Sequence, residues 1–416
     1  MHRLGKFIAG LIALLSVICI PSDIAFGASA RNLGMAGSFS GLDHSCEAAL
    51  LNPANLGREA GKPWSLQIIS ASAQAQNNAF SIADYNKYNG AYLTTADKEE
   101  ILAKVPDDGL ELHLVGEGGA VSVSHRGFAF FTEVIGGGRG WLAKGPLTVA
   151  LMGNAQPGSV DAEGTDGAGW AAYAVGFSHG RELIPSRDFK LYGGITFKYL
   201  KGISYYGVDE LVAEAATELT GLHGEGGLNT LEATGGGGYA VDLGWSADYK
   251  QTSYSLVATN LLANINWDHG ATERIYNFTI DNLTAENAEE DTVWNSEELV
   301  LPTSPFSTRP PLELQFSASH TFGRFLTAAA LTQGFEDTPF TSSSPRLSVG
   351  TEYPLAHWLA LRGGLAGGGN DKVSLALGAG FGLGPWRFDI GYAAASRLLP
   401  WGGTGGTVGL SSYLDF

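Results

Sequence analysis

The sequence predicts an all-β fold, a transmembrane antiparallel β-barrel. Three observations predict it: many segments alternate between apolar and polar residues, no second apolar run is long enough for a membrane helix, and only 16% of residues are charged. Soluble proteins typically have about 25% charged residues. Because lipid admits only helices and edge-free sheets, a membrane-like composition without such helices leaves a closed barrel.

The N-terminus has the pattern of a secretory signal peptide over residues 1–30. Arg3 and Lys6 precede an apolar run at residues 7–20, and Ala28 and Ala30 form an A-x-A cleavage site. The run is shorter than the roughly 20 residues of a membrane helix, which is the alternative interpretation. We expect cleavage after Ala30 and export to the bacterial outer membrane. Cys46 then has no cysteine partner, so no disulfide is expected.

The alternation has the period of a β-strand. In the segment 239–249, Tyr239 and Val241 alternate with Ala240 and Asp242. Successive side chains of a strand point to opposite faces, so such a segment has one apolar wall and one polar wall. Segments of about ten residues suit tilted strands that cross a bilayer.

Soluble β-sandwiches also alternate, and two features favour the barrel. Aromatic residues lie near strand ends, where an interfacial girdle is expected. The examples are Tyr239, Tyr249, Tyr353, Trp358 and Tyr392. The chain also ends on an alternating segment with Phe416 as its last residue, which resembles the insertion signal of outer-membrane barrels.

Fifteen segments are predicted as strands: 65–73, 119–125, 127–135, 146–153, 168–179, 188–201, 237–250, 252–263, 310–322, 324–333, 345–354, 357–366, 372–382, 385–396 and 405–416. Single-chain bacterial barrels have an even strand number, so we expect fourteen.

Three long connections are expected outside the cell, because barrels have short periplasmic turns and long external loops. The first, 77–108, contains a predicted helix at residues 95–104. The second, 203–234, contains a predicted helix at residues 209–219. The third, 264–309, is strongly acidic, and a solvated loop is favoured over a calcium site because no calcium-loop spacing is present.

The segment between the signal and the first strand resembles the N-terminal motif of the FadL superfamily. That superfamily includes long-chain fatty-acid and aromatic-hydrocarbon transporters and PorV-like proteins. The matching residues are Arg31, Gly34, Gly37, Asp43, Ala48, Ala49, Asn52, Pro53 and Ala54. His44 departs from the pattern, since the family often has Asp or Ala there.

The resemblance implies a fourteen-stranded barrel at residues 64–416 with residues 31–63 folded inside the lumen as a hatch. In the transporters, an apolar ligand enters from outside and leaves sideways where a strand is kinked. Residues 48–51 are expected to form one helical turn. The glycine pairs 193–194 and 363–364 are interpreted as packing sites, with a strand kink as the alternative.

Charged residues on the polar faces are candidate lumen lining, either paired with one another or forming a selectivity constriction. They are Lys198, Asp242, Glu313, Arg346, Glu352, Arg362, Arg387 and Asp389. The histidines lack metal-ligand spacing, so neither metal nor cofactor is expected. The net charge of −17 makes nucleic-acid binding unfavourable.

Two functions remain open on the sequence alone. The first is a monomeric channel or transporter for small hydrophobic molecules, such as long-chain fatty acids or hydrocarbons, surrounded by outer-membrane lipid. The second is a PorV-like structural role with secretion or envelope proteins as partners. An enzyme is not expected, because no catalytic motif brings a nucleophile and a base together.

Overall fold

The computed structural model describes residues 29–40, 45–58, 63–119, 121–152, 159–218, 221–284, 287, 293–396 and 402–416. Residues 1–28 of the predicted signal peptide, and Asp43 and His44 of the motif, lie outside these ranges. Within them, no helix has the length and hydropathy needed to cross a membrane.

The helices are short and lie near the N-terminus and in two loops at one end of the barrel. They are α1 (Ala30–Gly34), α2 (Ala48–Leu51), a 3-10 helix (Pro53–Gly57), α3 (Ile82–Tyr88), α4 (Thr95–Lys104) and α5 (Lys144–Met152). Helix α4 has the predicted bounds, and α2 is the predicted helical turn. Both α3 and α4 begin with a capping box, in which Ser81 pairs with Asp84 and Thr94 with Asp97.

The strands occupy most of the remaining chain. They are β1 (Trp64–Asn77), β2 (Leu110–Gly119), β3 (Ser122–His125), β4 (Phe128–Leu142), β5 (Ser159–Asp161), β6 (Asp166–Pro185), β7 (Phe189–Glu218), β8 (Gly221–Ala233), β9 (Gly235–Tyr249), β10 (Thr252–His269), β11 (Thr272–Leu283), β12 (Trp294–Pro302), β13 (Phe306–Thr308), β14 (Glu313–Phe322), β15 (Phe325–Gly334), β16 (Arg346–Ala356), β17 (Leu359–Gly368), β18 (Val373–Leu383), β19 (Trp386–Ala395) and β20 (Gly405–Asp415).

These strands form a closed antiparallel barrel of fourteen wall strands. Several wall strands consist of consecutive elements along one line: β2 with β3, β8 with β9, β10 with β11, and β12 with β13 and β14. Strand β20 pairs with β1, from Ser65 opposite Asp415 to Gln76 opposite Gly405, and this pairing closes the ring. The predicted fold class and strand number are therefore confirmed.

The predicted strand at 146–153 is wrong, because α5 occupies residues 146–152. A short apolar run does not distinguish a strand from a helix by periodicity, and Pro146 fits the first turn of a helix. The other fourteen predicted segments each overlap one wall strand.

The predicted helix at 209–219 is also wrong. Strand β7 continues through these residues to Glu218 and pairs with β8 along its length. The predicted loops 203–234 and 264–309 are likewise largely strand, because β7, β8, β11 and β12 extend the sheet beyond the barrel wall.

The barrel wall exposes its apolar face and buries its polar face. In β9, Tyr239 and Tyr249 are 55% and 47% exposed, whereas Asp242 and Ser246 are 2% and 1% exposed. A soluble sandwich would press the apolar face into a core. An apolar belt outside and polar side chains inside are what a lipid-facing barrel requires.

The two ends of the barrel differ in their connections. At one end, strands join through short turns, including those at residues 126–127, 250–251, 323–324 and 384–385. At the other end, residues 205–218 of β7 form a projecting sheet with β5, β8, β11 and β12, hereafter the outer sheet. The helices α3, α4 and α5 lie in the loops at this same end.

Candidate functional site: the lumen and the N-terminal segment

Residues 29–40 and 45–58, hereafter the N-terminal segment, contact the inner face of the barrel on two sides. Helix α1 packs against β17, β18, β19 and β20, and the 3-10 helix packs against β6, β7 and β9. These strands lie on opposite sides of the ring. The segment therefore reaches across the lumen from one wall to the other.

Glycines of the wall make room for this segment. A Cβ at Gly194 would lie 2.3 Å from the backbone nitrogen of Ala54, and one at Gly364 would lie 2.7 Å from the carbonyl carbon of Met35. Similar close approaches occur at Gly180, Gly244, Gly350, Gly378 and Gly391. Gly194 and Gly364 are the inward-facing members of the glycine pairs 193–194 and 363–364. Both are thus packing sites for the segment.

A chain of buried ion pairs holds α1 to the wall. Arg31 donates from Nε and Nη2 to both carboxylate oxygens of Glu352, at 2.9 and 2.8 Å. Arg362 donates to the same carboxylate at 2.6 Å and to Asp389 at 2.5 Å. The side chains of Arg362 and Asp389 are only 5% and 4% exposed, so each charge depends on its partners for solvation.

The turn after α1 is held through its backbone. Arg346 donates to the carbonyl of Ala36 at 2.8 Å, and Gln315 donates to the carbonyl of Gly37 at 3.1 Å. Gly37 has a φ of 76°, a left-handed conformation that favours glycine. The motif residues Arg31, Gly34 and Gly37 thus all lie at contacts with the wall.

The Asn-Pro-Ala part of the motif is held by the opposite wall. Asn52 Nδ2 donates to the carbonyl of Trp245 at 3.1 Å and to the hydroxyls of Ser246 and Ser255 at 3.2 and 2.6 Å. Asn52 Oδ1 accepts from the backbone N–H of Ala54 at 3.0 Å and caps the 3-10 helix. Pro53 and Ala54 fit against the glycines of β6 and β7.

The segment ends on a third polar contact. Arg58 forms an ion pair with Asp248 of β9 and lies over the ring of Tyr192, with 4.9 Å from its Cζ to the ring centroid. Ser246 donates to Asn55 Oδ1 at 2.6 Å. Both ends of the segment are therefore fixed by charge and by hydrogen bonds rather than by apolar packing alone.

The remaining candidate lining residues lie on the inner face as well. Lys198 pairs with Asp242 at 2.8 Å, and Asp242 also accepts from the backbone N–H of Asn260 at 2.8 Å. Asn260 has a φ of 55° and lies in a bulge of β10. Arg387 shares the inward register of Asp389, and a Cβ at Gly382 would meet its guanidinium.

A cavity of ≈ 240 Å³ lies beside the N-terminal segment, on the side facing the end of the barrel that has the long loops. Its lining includes Asn32, Glu117, Glu313, Gln315 and Arg346. Polar groups dominate this lining, which differs from the elongated apolar pocket that hydrophobic transport predicts. Within the described ranges, no three His, Cys, Asp or Glu residues are grouped to hold a metal ion.

The loop between β15 and β16 folds over this cavity. Its Phe340 ring lies 4.6 Å from the ring of Trp170, and its Pro339 carbonyl contacts His113 Nε2. Asp337 accepts from the Ser343 hydroxyl and backbone N–H, both at 2.8 Å, which shapes the loop. No local sequence pattern predicts this closure, because the contacting residues are far apart in the chain.

Aromatic side chains line the inner face near the outer sheet. Trp267 is fully buried and packs with Tyr205 and Phe306, whose ring centroids lie 5.7 and 6.5 Å from its own. Trp170 packs against the same cluster. These aromatic residues were not identified from the sequence as lining of the lumen, because each one also fits the apolar face of its strand.

A second cavity of ≈ 530 Å³ lies on the outward face of β4, β6, β7 and β9. The exposed rings of Phe130, Phe177, Phe197, Tyr199 and Tyr239 surround it. The strand ladder beneath it is continuous from Phe131 through Gly176 to Lys198 and Ala240. The cavity is therefore a depression in the lipid-facing surface and not a passage into the lumen.

No protein-family model and no curated protein matches this sequence. Solved structures do match it. The P. putida toluene transporter TodX covers 94% of this chain and 99% of its own, with 11% identity and a TM-score of 0.52. A deltaS2S3 mutant of the TodX monoaromatic hydrocarbon channel covers the same shares, with 10% identity and a TM-score of 0.53.

A Pseudomonas aeruginosa FadL homologue covers 94% of this chain and 100% of its own, with 14% identity and a TM-score of 0.48. At such low sequence identities, the two TodX structures show the fold of this chain and do not identify its cargo. The chain has the fold of FadL-like barrels, as its N-terminal motif predicts.

Proposed function

We propose that this protein is an outer-membrane channel for small hydrophobic molecules and that residues 31–63 act as its hatch. The observation that carries the proposal is the N-terminal segment, which crosses a barrel of TodX-like fold and is seated on wall glycines. The described parts of this segment contribute no strand to the wall, so their displacement leaves the strand ladder of the barrel intact. Neither catalysis nor a cofactor is part of this proposal.

The outer end of the barrel offers surfaces suited to an apolar cargo. Helix α5 is rich in apolar residues and only half-buried, and its Leu147 packs near Val105, Leu110 and Leu142. The half-buried rings of Trp170, Tyr205 and Phe306, which pack against the buried Trp267, lie on the inner wall at the same end. We infer that the cargo is captured at α5 and passes along these aromatic rings, because both surfaces remove apolar area from water.

We propose that the cargo leaves sideways near the start of β3. The ladder between β2 and β4 pairs Gly118 with Val134, and the ladder between β3 and β4 pairs Ser122 with Phe131, so the register shifts by one residue. The register of the ladder between β1 and β20 also shifts, between Gln67 and Ile69, at the same level of the barrel wall. Such bulges bend strands and interrupt pairing, as a lateral exit requires.

Uptake by cells tests this function, because the outer membrane is the barrier that the channel would cross. A strain without its own fatty-acid channel is given this gene or an empty vector, and uptake of labelled oleate and labelled toluene is measured at low concentration. Saturable uptake of either compound above the vector level supports the proposal. Uptake equal to the vector for both compounds contradicts it.

A structural role with envelope or secretion proteins is the second candidate. The polar lining of the ≈ 240 Å³ cavity favours it, since an apolar solute gains little there. This role predicts vector-level uptake together with co-purification of envelope proteins in mild detergent.

A further inference from the structure

The outer sheet has one strongly acidic face. Strand register places seven carboxylates on this face, from β7, β8, β11 and β12: Glu210, Glu214, Glu218, Glu225, Glu273, Asp281 and Glu297. Among the described residues of these four strand portions, Arg274 is the one Lys or Arg, and register places it on the opposite face. There it bridges Glu232 and Glu298.

The same sheet has an open edge at β12. Within the described ranges, β12 pairs with β11 and with no other strand. Its residues 295–302 are exposed, including Leu299 and Leu301, which share the acidic face with Glu297. An exposed edge presents a row of unpaired N–H and C=O groups to which another strand can pair.

The negative charge of the acidic face determines which kind of partner can bind at this edge. A second copy of the chain would bring its own acidic face alongside, and like charges across a strand pair are destabilising. Phosphate groups of the surrounding lipid are repelled for the same reason. A strand with Lys or Arg at alternate positions would complete the backbone ladder, face Glu297 with its ammonium groups and cover Leu299 and Leu301 with its methylene stems.

We propose that the β12 edge and the acidic face of the outer sheet bind a basic, extended segment of another protein by strand addition. The backbone ladder supplies affinity, and the alternating charges fix register and direction. This interaction is independent of the cargo that the barrel carries.

Peptide binding to the purified full chain in detergent micelles tests the proposal. The probe is a nine-residue peptide of alternating lysine and valine. A second peptide has the same sequence with the amide nitrogens of alternate residues methylated, so it retains the charge and loses the donors of one edge. We expect the first peptide to bind at least about tenfold tighter than the methylated one, because each lost hydrogen bond weakens binding severalfold.

Charge reversal gives the second arm. The variant Glu273→Lys/Glu297→Lys should bind the first peptide about five- to tenfold more weakly, because two attractive contacts become repulsive. The matched control is Glu99→Lys/Glu336→Lys, which changes the net charge equally at exposed external positions away from the outer sheet. It should bind like the unchanged protein.

Three results would overturn the proposal. The first is equal binding of the two peptides, which would mean charge attraction without strand addition. The second is equal weakening by the two double variants, which would mean an effect of net charge only. The third is a dimer cross-linked through β12, which would assign the edge to a second copy.

Discussion

Arg31 and Glu352 lie 321 residues apart in the sequence and form a two-point ion pair inside the barrel. Glu352 also accepts from Arg362, which in turn donates to Asp389. One carboxylate thus binds both an arginine of the N-terminal segment and an arginine of the wall, and Asp389 supplies the second negative charge. This relationship ties the position of the segment to the stability of the barrel.

Removing the shared carboxylate should destabilise the protein strongly. Glu352→Ala leaves Arg31 and Arg362 without this partner, and breaking a buried pair typically costs about 3–5 kcal/mol. Urea unfolding from lipid vesicles measures the change. Glu298→Ala is the control, because Glu298 is 48% exposed and its pair with Arg274 should contribute no more than about 1 kcal/mol. Equal losses for the two variants would contradict the role given to Glu352.

Adjacent glycines of β17 give a matched pair of substitutions. A Cβ at Gly364 would lie 2.7 Å from the Met35 backbone, whereas one at Gly363 would meet only the Ala376 carbonyl oxygen, at 4.0 Å. Gly364→Ala should therefore displace α1, and Gly363→Ala should leave it in place. Proteolysis of the segment, followed by mass spectrometry, should be faster for Gly364→Ala alone. Identical cleavage of both variants would mean that the glycine is not a seat for the segment.

Asn52 is expected to hold the other end of the segment. Asn52→Ala removes its contacts with Trp245, Ser246 and Ser255, and leaving buried partners unpaired costs about 1–3 kcal/mol. Maleimide labelling of the buried thiol of Cys46, in a Cys19→Ser background, should then accelerate about tenfold.

The control for this labelling is Asn78→Ala, which removes an asparagine that donates to the Gly109 carbonyl in an external loop. Its labelling rate should match that of the parent protein. A rate for Asn52→Ala no faster than this control would show that Asn52 does not hold the segment.

The external helix pair α3 and α4 should loosen only in acid. Burial raises the pKa of Asp84, but hydrogen bonds from Lys104 and Ser81 outweigh it and lower the pKa to about 2. Because the folded pKa lies below the unfolded value of about 3.9, this stabilisation is present above pH 4 and is lost as the pH falls towards 2.

Pepsin cleavage within residues 78–109, normalised to a denatured sample at each pH, measures this loosening. Cleavage of the unchanged protein should rise between pH 4 and pH 2 and approach that of Asp84→Asn, which should change little with pH. If Asp84→Asn had the same pH profile of cleavage as the unchanged protein, Asp84 would be excluded as the cause of the loosening.

The barrel could be predicted from the sequence because its wall strands combine local alternation with regular spacing. The failures are equally physical. Residues 209–218 include helix-forming Glu and Ala, but pairing with β8 overrides their local preference. In α5, the apolar run fits either structure, and Pro146 near its start is the local feature that favours a helix.

The contents of the lumen could be predicted only in part. The motif indicated which residues enter the barrel, and the polar wall faces indicated which charges face inward. The pairing of Arg31 with Glu352, and the fit of Ala54 against Gly194, depend on how distant strands meet around the ring. No local pattern encodes such contacts, since each partner alone is an ordinary arginine, glutamate or glycine.

Ion conductance across a planar bilayer tests most directly whether the N-terminal segment closes the barrel. The mature chain is compared with a variant lacking residues 31–57, and heat-dependent gel migration verifies that both are folded. Closure by the segment predicts little conductance for the full chain and a steady open conductance for the shortened one. The same conductance from both proteins would contradict closure by the segment.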